Sequence, residues 1–193
     1  MQYFAIQVTT RHEDDWLARI QDQIKDHTGQ IKFHKIMKKM YIRKRGKTKL
    51  EEVPLFPGYI FFEYPEEELP LEVLSKIRHS RFFIRFLPSN ETPRPLDRHD
   101  SDIIRHFVNF GSLLPPSLVK FDENQKIKVV QGPLQGIEGF IVKVNKRKRR
   151  AKVRLTIAES VMILDLSFEV MESDSTEAEA KGIHHAEKRV HSI

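Results

Sequence analysis

The hydrophobic pattern changes period once along this chain, and that change demands two differently built parts. Up to about residue 110, two-residue alternation is interleaved with helical spacing; beyond it only alternation remains. The break falls at Gly111-Ser112-Leu113-Leu114-Pro115-Pro116-Ser117, a stretch in which glycine and two prolines interrupt any regular element. It divides the chain into residues 1–111, a linker over 112–120, a second unit over 121–172 and a tail over 173–193. The tail holds almost no large apolar side chains and is expected to be disordered.

In the first part, residues 3–8 alternate, with Phe4, Ile6 and Val8 on one face of a half-buried strand. Thr10 and Glu13 have capping-box spacing, and Trp16, Leu17, Ile20 and Ile24 follow at helical spacing, so a helix is predicted over 11–26. Residues 31–42 and 48–54 read as arms of a hairpin around Arg45-Gly46-Lys47, and Tyr59-Ile60-Phe61-Phe62 as a further strand. Leu71, Leu74 and Ile77 mark a short helix, residues 82–87 a strand, and Asp97 or Asp100 caps a third helix carrying Ile103, Ile104 and Phe107. The order is that of an α+β sandwich, helices against a mostly antiparallel sheet. In the second part, Ile127/Val129, Phe140/Val142/Val144, Val153/Leu155/Ile157 and Met162/Leu164/Leu166 alternate in short runs, as in a small β-barrel.

Composition excludes several functions. No cysteine is present, so disulfides, Cys-ligated zinc and thiol catalysis are out. The nine histidines, among them His34, His79, His99, His106, His184 and His185, are scattered, with no metal-binding spacing. There is no phosphate-binding glycine loop and no nucleophile elbow, so neither enzymatic activity nor a cofactor is expected. No apolar run approaches the roughly 20 residues of a membrane span, and the opening residues lack a signal-peptide layout; a cytoplasmic protein without membrane contact, monomeric, is expected. Lys+Arg outnumber Asp+Glu by 33 to 27, which points to an anionic partner, nucleic acid ahead of membrane.

Three features stand out. Leu55-Phe56-Pro57-Gly58-Tyr59 heads a strand with a fixed turn that aims two aromatic rings. Both rings in the core is one reading; an apolar patch left for a partner helix is the other. Second, the strand from Lys126 runs into Gly132-Pro133-Leu134-Gln135-Gly136-Ile137-Glu138-Gly139, a loop able to display Leu134 and Ile137 or simply to turn a barrel. Third, Lys35, Lys38, Lys39, Arg43, Lys44, Arg45, Lys47 and Lys49 occupy the first hairpin without an acid among them, and Lys146-Arg147-Lys148-Arg149-Arg150 forms a barrel turn. Five adjacent like charges repel, and a phosphate backbone relieves them while releasing counterions. Little aromatic interleaving lies nearby, which favours backbone or shape readout of structured RNA over base stacking.

Taken together, Tyr3-Phe4-Ala5-Ile6-Gln7-Val8, Leu55-Phe56-Pro57-Gly58-Tyr59-Ile60-Phe61, Pro93-Arg94-Pro95-Leu96 and Gly132-Pro133-Leu134…Gly136…Gly139 resemble the NusG family of transcription elongation factors over residues 2–172. The resemblance implies an N-terminal NGN domain followed by a KOW domain, an SH3-like barrel. It implies docking of Phe56, Pro57 and Tyr59, with Tyr3 or Phe4, on the clamp helices of the large RNA polymerase subunit, and suppression of pausing and termination. In the KOW domain it implies partner contacts through Gly132, Leu134, Gly136 and Ile137, with a small-subunit ribosomal protein (NusE) or with Rho. The wording around Glu52–Pro57 and Phe83–Phe86 is closer to specialised paralogues such as LoaP and RfaH, which implies processive antitermination. On that reading Lys146, Arg147, Lys148, Arg149 and Arg150 contact nascent RNA, as a hairpin, or non-template DNA; the alternative is a housekeeping member coupling polymerase to Rho or the ribosome. Val153, Leu155 and Ile157 alternate with Lys152, Arg154 and Thr156, which favours a constitutive barrel over a fold-switching domain.

Overall fold

The computed structural model describes residues 1–27 and 29–171; the expected tail over 173–193 lies outside the described residues. Strand β1 (Gln2–Val8) leads to α1 (Glu13–Gln23) and a short 3-10 turn, then to β2 (Lys32–His34), β3 (Met37–Lys44), β4 (Lys47–Pro54) and β5 (Tyr59–Tyr64). Helix α2 (Leu71–His79), β6 (Phe83–Leu87) and α3 (Arg98–Val108) complete the first part. After β7 (Leu113–Leu114) come β8 (Ser117–Phe121), β9 (Ile127–Gln131), β10 (Ile141–Asn145), β11 (Arg150–Ile157) and β12 (Ser160–Val170).

The first sheet has the order β2-β5-β1-β6 with every pairing antiparallel. Its central strand β1 is covered on both faces, which alternation alone did not indicate. Phe4, Ile6 and Val8 share a cluster with Trp16, Ile20 and Ile24 of α1 and with Val73 and Ile77 of α2. Tyr3 and Ala5, on the opposite face, share a second cluster with Ile103, Ile104 and Phe107 of α3. Asp97 caps α3, its carboxylate accepting the Asp100 N–H at 2.8 Å. The Thr10–Glu13 capping box does not form. Arg11 takes φ 72° and the helix begins after His12, so the Glu13 carboxylate is free to serve another strand, as described below. In α2 the buried positions are Val73 and Ile77, while Leu71 stands 85% exposed.

The hairpin β3–β4 closes on Arg45 (φ 48°) and Gly46 (φ 79°), a two-residue turn whose twist matches that of its strands. The barrel part is a five-stranded curved sheet of order β10-β11-β12-β8-β9, with β12 and β8 parallel. Val153, Leu155, Ile157, Met162, Leu164 and Leu166 point inward as expected, joined by Val119 and Phe168; Val142 is exposed instead. The β11–β12 turn places two non-glycine residues, Ala158 (φ 49°) and Glu159 (φ 63°), in the left-handed region. Glu159 is exposed, and left-handed backbone costs an L-residue about 1–2 kcal/mol, partly offset by the greater freedom glycine loses. Glu159→Gly is therefore expected to raise the melting temperature by about 2 °C and Glu159→Val to lower it, as read by thermal denaturation.

Residues 112–120, expected as a linker, carry β7 and most of β8. Strand β7 pairs in parallel with β3, giving the sheet β4-β3-β7, and the Met37 N–H donates to the Ser112 carbonyl at 2.8 Å. Past β7 the barrel itself takes over along β3. Ser167 Oγ donates to the Lys39 carbonyl at 2.5 Å and Arg150 Nη2 to the Tyr41 carbonyl at 2.8 Å. Carbonyls along a strand edge that would otherwise face water or a foreign strand are thus used within the chain.

Candidate functional site

The Phe-Pro-Gly-Tyr corner is set by what it abuts. Gly58 has φ 78°, and a Cβ there would lie 2.8 Å from Thr10 Oγ1 and 3.1 Å from the Val8 carbonyl oxygen. Its N–H donates to Glu13 Oε1 at 2.6 Å and its carbonyl accepts the Val8 N–H at 2.8 Å, which clips the start of β5 to the end of β1. From this corner Phe56 turns inward, 3% exposed, edge-on to Phe61 at 5.1 Å and to Phe107 of α3 at 5.8 Å. Pro57 is exposed and Tyr59 half-buried at the margin of the same cluster.

Tyr3 shares that cluster, with its ring beneath Arg105 and its hydroxyl donating to Glu63 at 3.3 Å; burial first, then the Glu63 carboxylate, raises its phenol pKa. Phe4 does not belong to this surface. It is 1% exposed on the other face, stacked on Phe62 at 5.2 Å under α1 and α2, because a two-residue repeat sends neighbours to opposite sides. The corner is thus divided: Phe56 and Tyr3 lie in the core while Pro57 and Tyr59 reach the surface. The cluster holding them continues without a break into Leu134, Ile137 and the interior of the barrel.

The barrel loop is likewise turned inward. Gly132 has φ 103°, and a Cβ there would meet Ser117 Cα at 2.8 Å. The Leu134 N–H donates to the buried Ser117 Oγ at 2.9 Å, and the Pro133 carbonyl accepts from His106 Nε2 of α3 at 2.9 Å, which fixes the proton on that nitrogen. Leu134 and Ile137 are buried at 0% and 5% exposure, so the expectation that the loop displays them is corrected for this arrangement. Gly136 is exposed, its N–H donating to the Glu138 carboxylate at 2.8 Å.

The basic turn is split by its own geometry. Lys146 sits over the Phe121 ring at 3.9 Å and bonds Gln125. Arg149, at φ 51°, lies over the Tyr41 ring at 5.5 Å. Arg150 holds the Tyr41 carbonyl and stands 4.0 Å from Asp165, which also pairs with Lys152 at 3.1 Å. Among the described residues, the Arg147 and Lys148 side chains make no ion pair or hydrogen bond; Lys148 contributes only its backbone N–H, to Asn145 at 2.9 Å. Arg147 and Lys148 are the cations of the run left free for a ligand.

The junction roles of several residues escaped the sequence reading. Asp100 Oδ2 accepts the buried Ala158 N–H at 2.6 Å; burial raises its pKa and that hydrogen bond opposes the rise. Tyr41 donates to Glu169 at 2.5 Å, a bond that raises its phenol pKa. Lys38 is buried, 8% exposed, near Asp165, Arg150 and Lys152, and burial lowers its pKa to about 8. Lys38 alone had a sequence signal: it alternates in register with Ile36 and Met40, both buried, so a strand face otherwise apolar carries one amine. His34, whose pKa is lowered by burial, pairs with Glu63 at 2.6 Å, but no group of three possible metal ligands forms among the described residues. Among those residues, no helix is long and apolar enough to cross a membrane.

The chain is similar to proteins of one description. The family model described as transcription termination factor nusG matches residues 1–105. The transcription termination/antitermination protein NusG of Thermus thermophilus is 26% identical over 179 residues, covering 87% of this chain and 96% of that protein. The protein of the same description from Helicobacter pylori is 25% identical over 161 residues, covering 81% of this chain and 89% of that one. A solved structure described as domain interaction in Thermotoga maritima NusG is 19% identical and covers 87% of this chain and 97% of that one, with a TM-score of 0.49.

Proposed function

The chain belongs to the NusG family of transcription termination/antitermination factors, and from that premise we propose that it rides on RNA polymerase as a processive antitermination factor and holds nascent RNA through its barrel. On this reading Tyr3, Phe56, Pro57 and Tyr59 meet the clamp helices of the large polymerase subunit. The observation that carries it is the division of the corner: an exposed Pro57 and half-buried Tyr59 stand at the rim of a cluster that holds Phe56 and Tyr3. A helix pair first contacts the rim, and the cluster behind it becomes available when the barrel leaves. No catalytic group is required, because a factor that binds one clamp state better than another shifts the polymerase by that difference alone. Polymerase affinity is reduced by the fraction of molecules in which the barrel is docked.

Tyr59→Ala is expected to weaken co-purification with polymerase about tenfold, the loss of one aromatic anchor, without the core damage Phe56→Ala would add. Unchanged co-purification overturns the docking assignment. For RNA, Arg147→Gln with Lys148→Gln should reduce the salt dependence of RNA-hairpin binding by about two charges, whereas Lys146→Gln, whose amine is engaged with Phe121 and Gln125, should change it less. A loss of a full charge from the slope on Lys146→Gln, equal to the loss per residue in the pair, would sink that division.

A second reading is a housekeeping role in which the barrel joins polymerase to Rho or to the ribosomal protein NusE, a role compatible with the relatives' description as termination/antitermination proteins. There the loop from Gly132 through Leu134, Gly136 and Ile137 is the contact, reached once it swings away from α3. Retention of Rho or NusE by the immobilised full chain, lost on Ile137→Glu, distinguishes this role from RNA binding.

A further inference from the structure

The two basic stretches of this chain lie about a hundred residues apart in sequence, yet they form opposite walls of one cleft of about 560 Å³. Tyr41, Arg43 and Thr48 of the β3–β4 hairpin face Arg147, Lys148, Arg149 and Arg150 of the barrel turn. Like charges brought together across a gap repel, so the docked arrangement carries an electrostatic cost here that its packing elsewhere must offset.

Nearby acids do little to relieve it. Glu51 is engaged by Lys44 at 2.8 Å, Glu169 accepts from Tyr41, and Asp165 is shared between Lys152 and Arg150. Arg43, Arg147 and Lys148 form no ion pair among the described residues. Arg150 Nε is buried without an acceptor, while Nη2 and Nη1 of the same guanidinium serve the Tyr41 carbonyl and Asp165. A smaller hollow of about 200 Å³, lined by Lys143, Asn145, Lys148, Arg150, Lys152 and Asp165, shares Lys148 and Arg150 with the cleft and extends the cationic track. The lysines and arginines thus continue beyond the cleft, which suits a chain of phosphates better than a single anion.

We propose that this cleft is an interdomain phosphodiester site, which grips a nucleic-acid backbone between hairpin and barrel and therefore binds it best while the barrel is docked. The inference deepens the RNA-binding reading above and rests on it, moving half of the site onto the N-terminal part. Linkage then works in both directions. A ligand that touches both walls stabilises docking by its differential affinity, and whatever loosens docking weakens the ligand. Since docking also holds the Tyr3–Phe56 cluster covered, nucleic acid in this cleft and polymerase on that face oppose each other.

The test uses the full chain, with a fluorescein-labelled RNA hairpin and a labelled single-stranded DNA of matching sequence as separate probes. Arg43→Glu and Arg147→Glu should each weaken binding about tenfold, and the double variant should lose less than the product of the two. Asp100→Ala removes the clasp on Ala158 outside the cleft, so it should weaken both probes by loosening docking; Asp100→Asn, which keeps an acceptor, should restore them. Similar losses in the two arms mean that phosphodiester alone is read; losses confined to RNA or to DNA name the source. If Arg147→Glu abolishes binding while Arg43→Glu and Asp100→Ala leave it unchanged, the barrel turn acts alone and the interdomain site is overturned, although the RNA reading stands. If Arg147→Glu also has no effect, both fall together.

Discussion

Gly132→Ala is expected to destabilise the protein by about 3 kcal/mol, lowering its melting temperature by about 6–12 °C. Two independent costs meet at this position. With φ at 103°, an L-residue is strained whatever the space around it, and the added Cβ would lie 2.8 Å from Ser117 Cα, a backbone atom that cannot swing aside. Ser117 cannot retreat as a unit either. It is fully buried, pairs with Phe168 across β8 and β12, and accepts the Leu134 N–H through its hydroxyl. Displacing it would open the parallel pairing that closes the barrel and release the loop whose Pro133 carbonyl meets α3. Gly136 provides the control: its φ is 84°, but nothing lies within 4 Å of the added methyl, so Gly136→Ala should cost only about 1 kcal/mol. Thermal denaturation of the two variants side by side separates strain from collision. Equal losses would mean that the Ser117 contact contributes nothing.

The sequence was most legible where one physical cause acted alone. Alternation in β11 and β12 placed six inward side chains correctly because a barrel strand has one dry face and one wet one. The same logic read only half of β1. Phe4, Ile6 and Val8 declared their face, but the burial of Tyr3 and Ala5 depends on α3 returning from a hundred residues away, which no local pattern records. Phe56 shows the limit from the other side: the Pro-Gly pair announced a fixed corner, yet whether the ring meets Phe107 or solvent is decided by tertiary packing. The basic turn was visible as charge. Its division into engaged Lys146, Arg149 and Arg150 and free Arg147 and Lys148 required the rings of Phe121 and Tyr41 to be in place.

Lys38→Met is expected to stabilise the protein at pH 7 by up to about 3 kcal/mol, and the gain should fade as pH rises. The buried amine has its pKa lowered from 10.5 to about 8, first by burial, then by Arg150 and Lys152, with Asp165 opposing. Those are the charged groups that face it from the barrel. A cation whose folded pKa lies below its unfolded value binds its proton more tightly in the unfolded chain. Its cost is therefore fully present below pH 8, and stability rises as pH climbs from about 8 and levels off above 10.5, where both states have lost the proton. Methionine fills a similar volume without charge, so the variant lacks that slope. Tyr3, Tyr41 and Tyr64, whose phenol pKa values are raised, impose an opposite trend above pH 10 in both proteins and cancel in the difference. Denaturant unfolding of the pair at pH 7 and pH 10 reads that difference directly. The gap should be large at the lower pH and largely closed at the higher one. A gap of the same size at both would mean that the stabilisation comes from packing, and that the amine carries no burial cost where β3 meets the barrel.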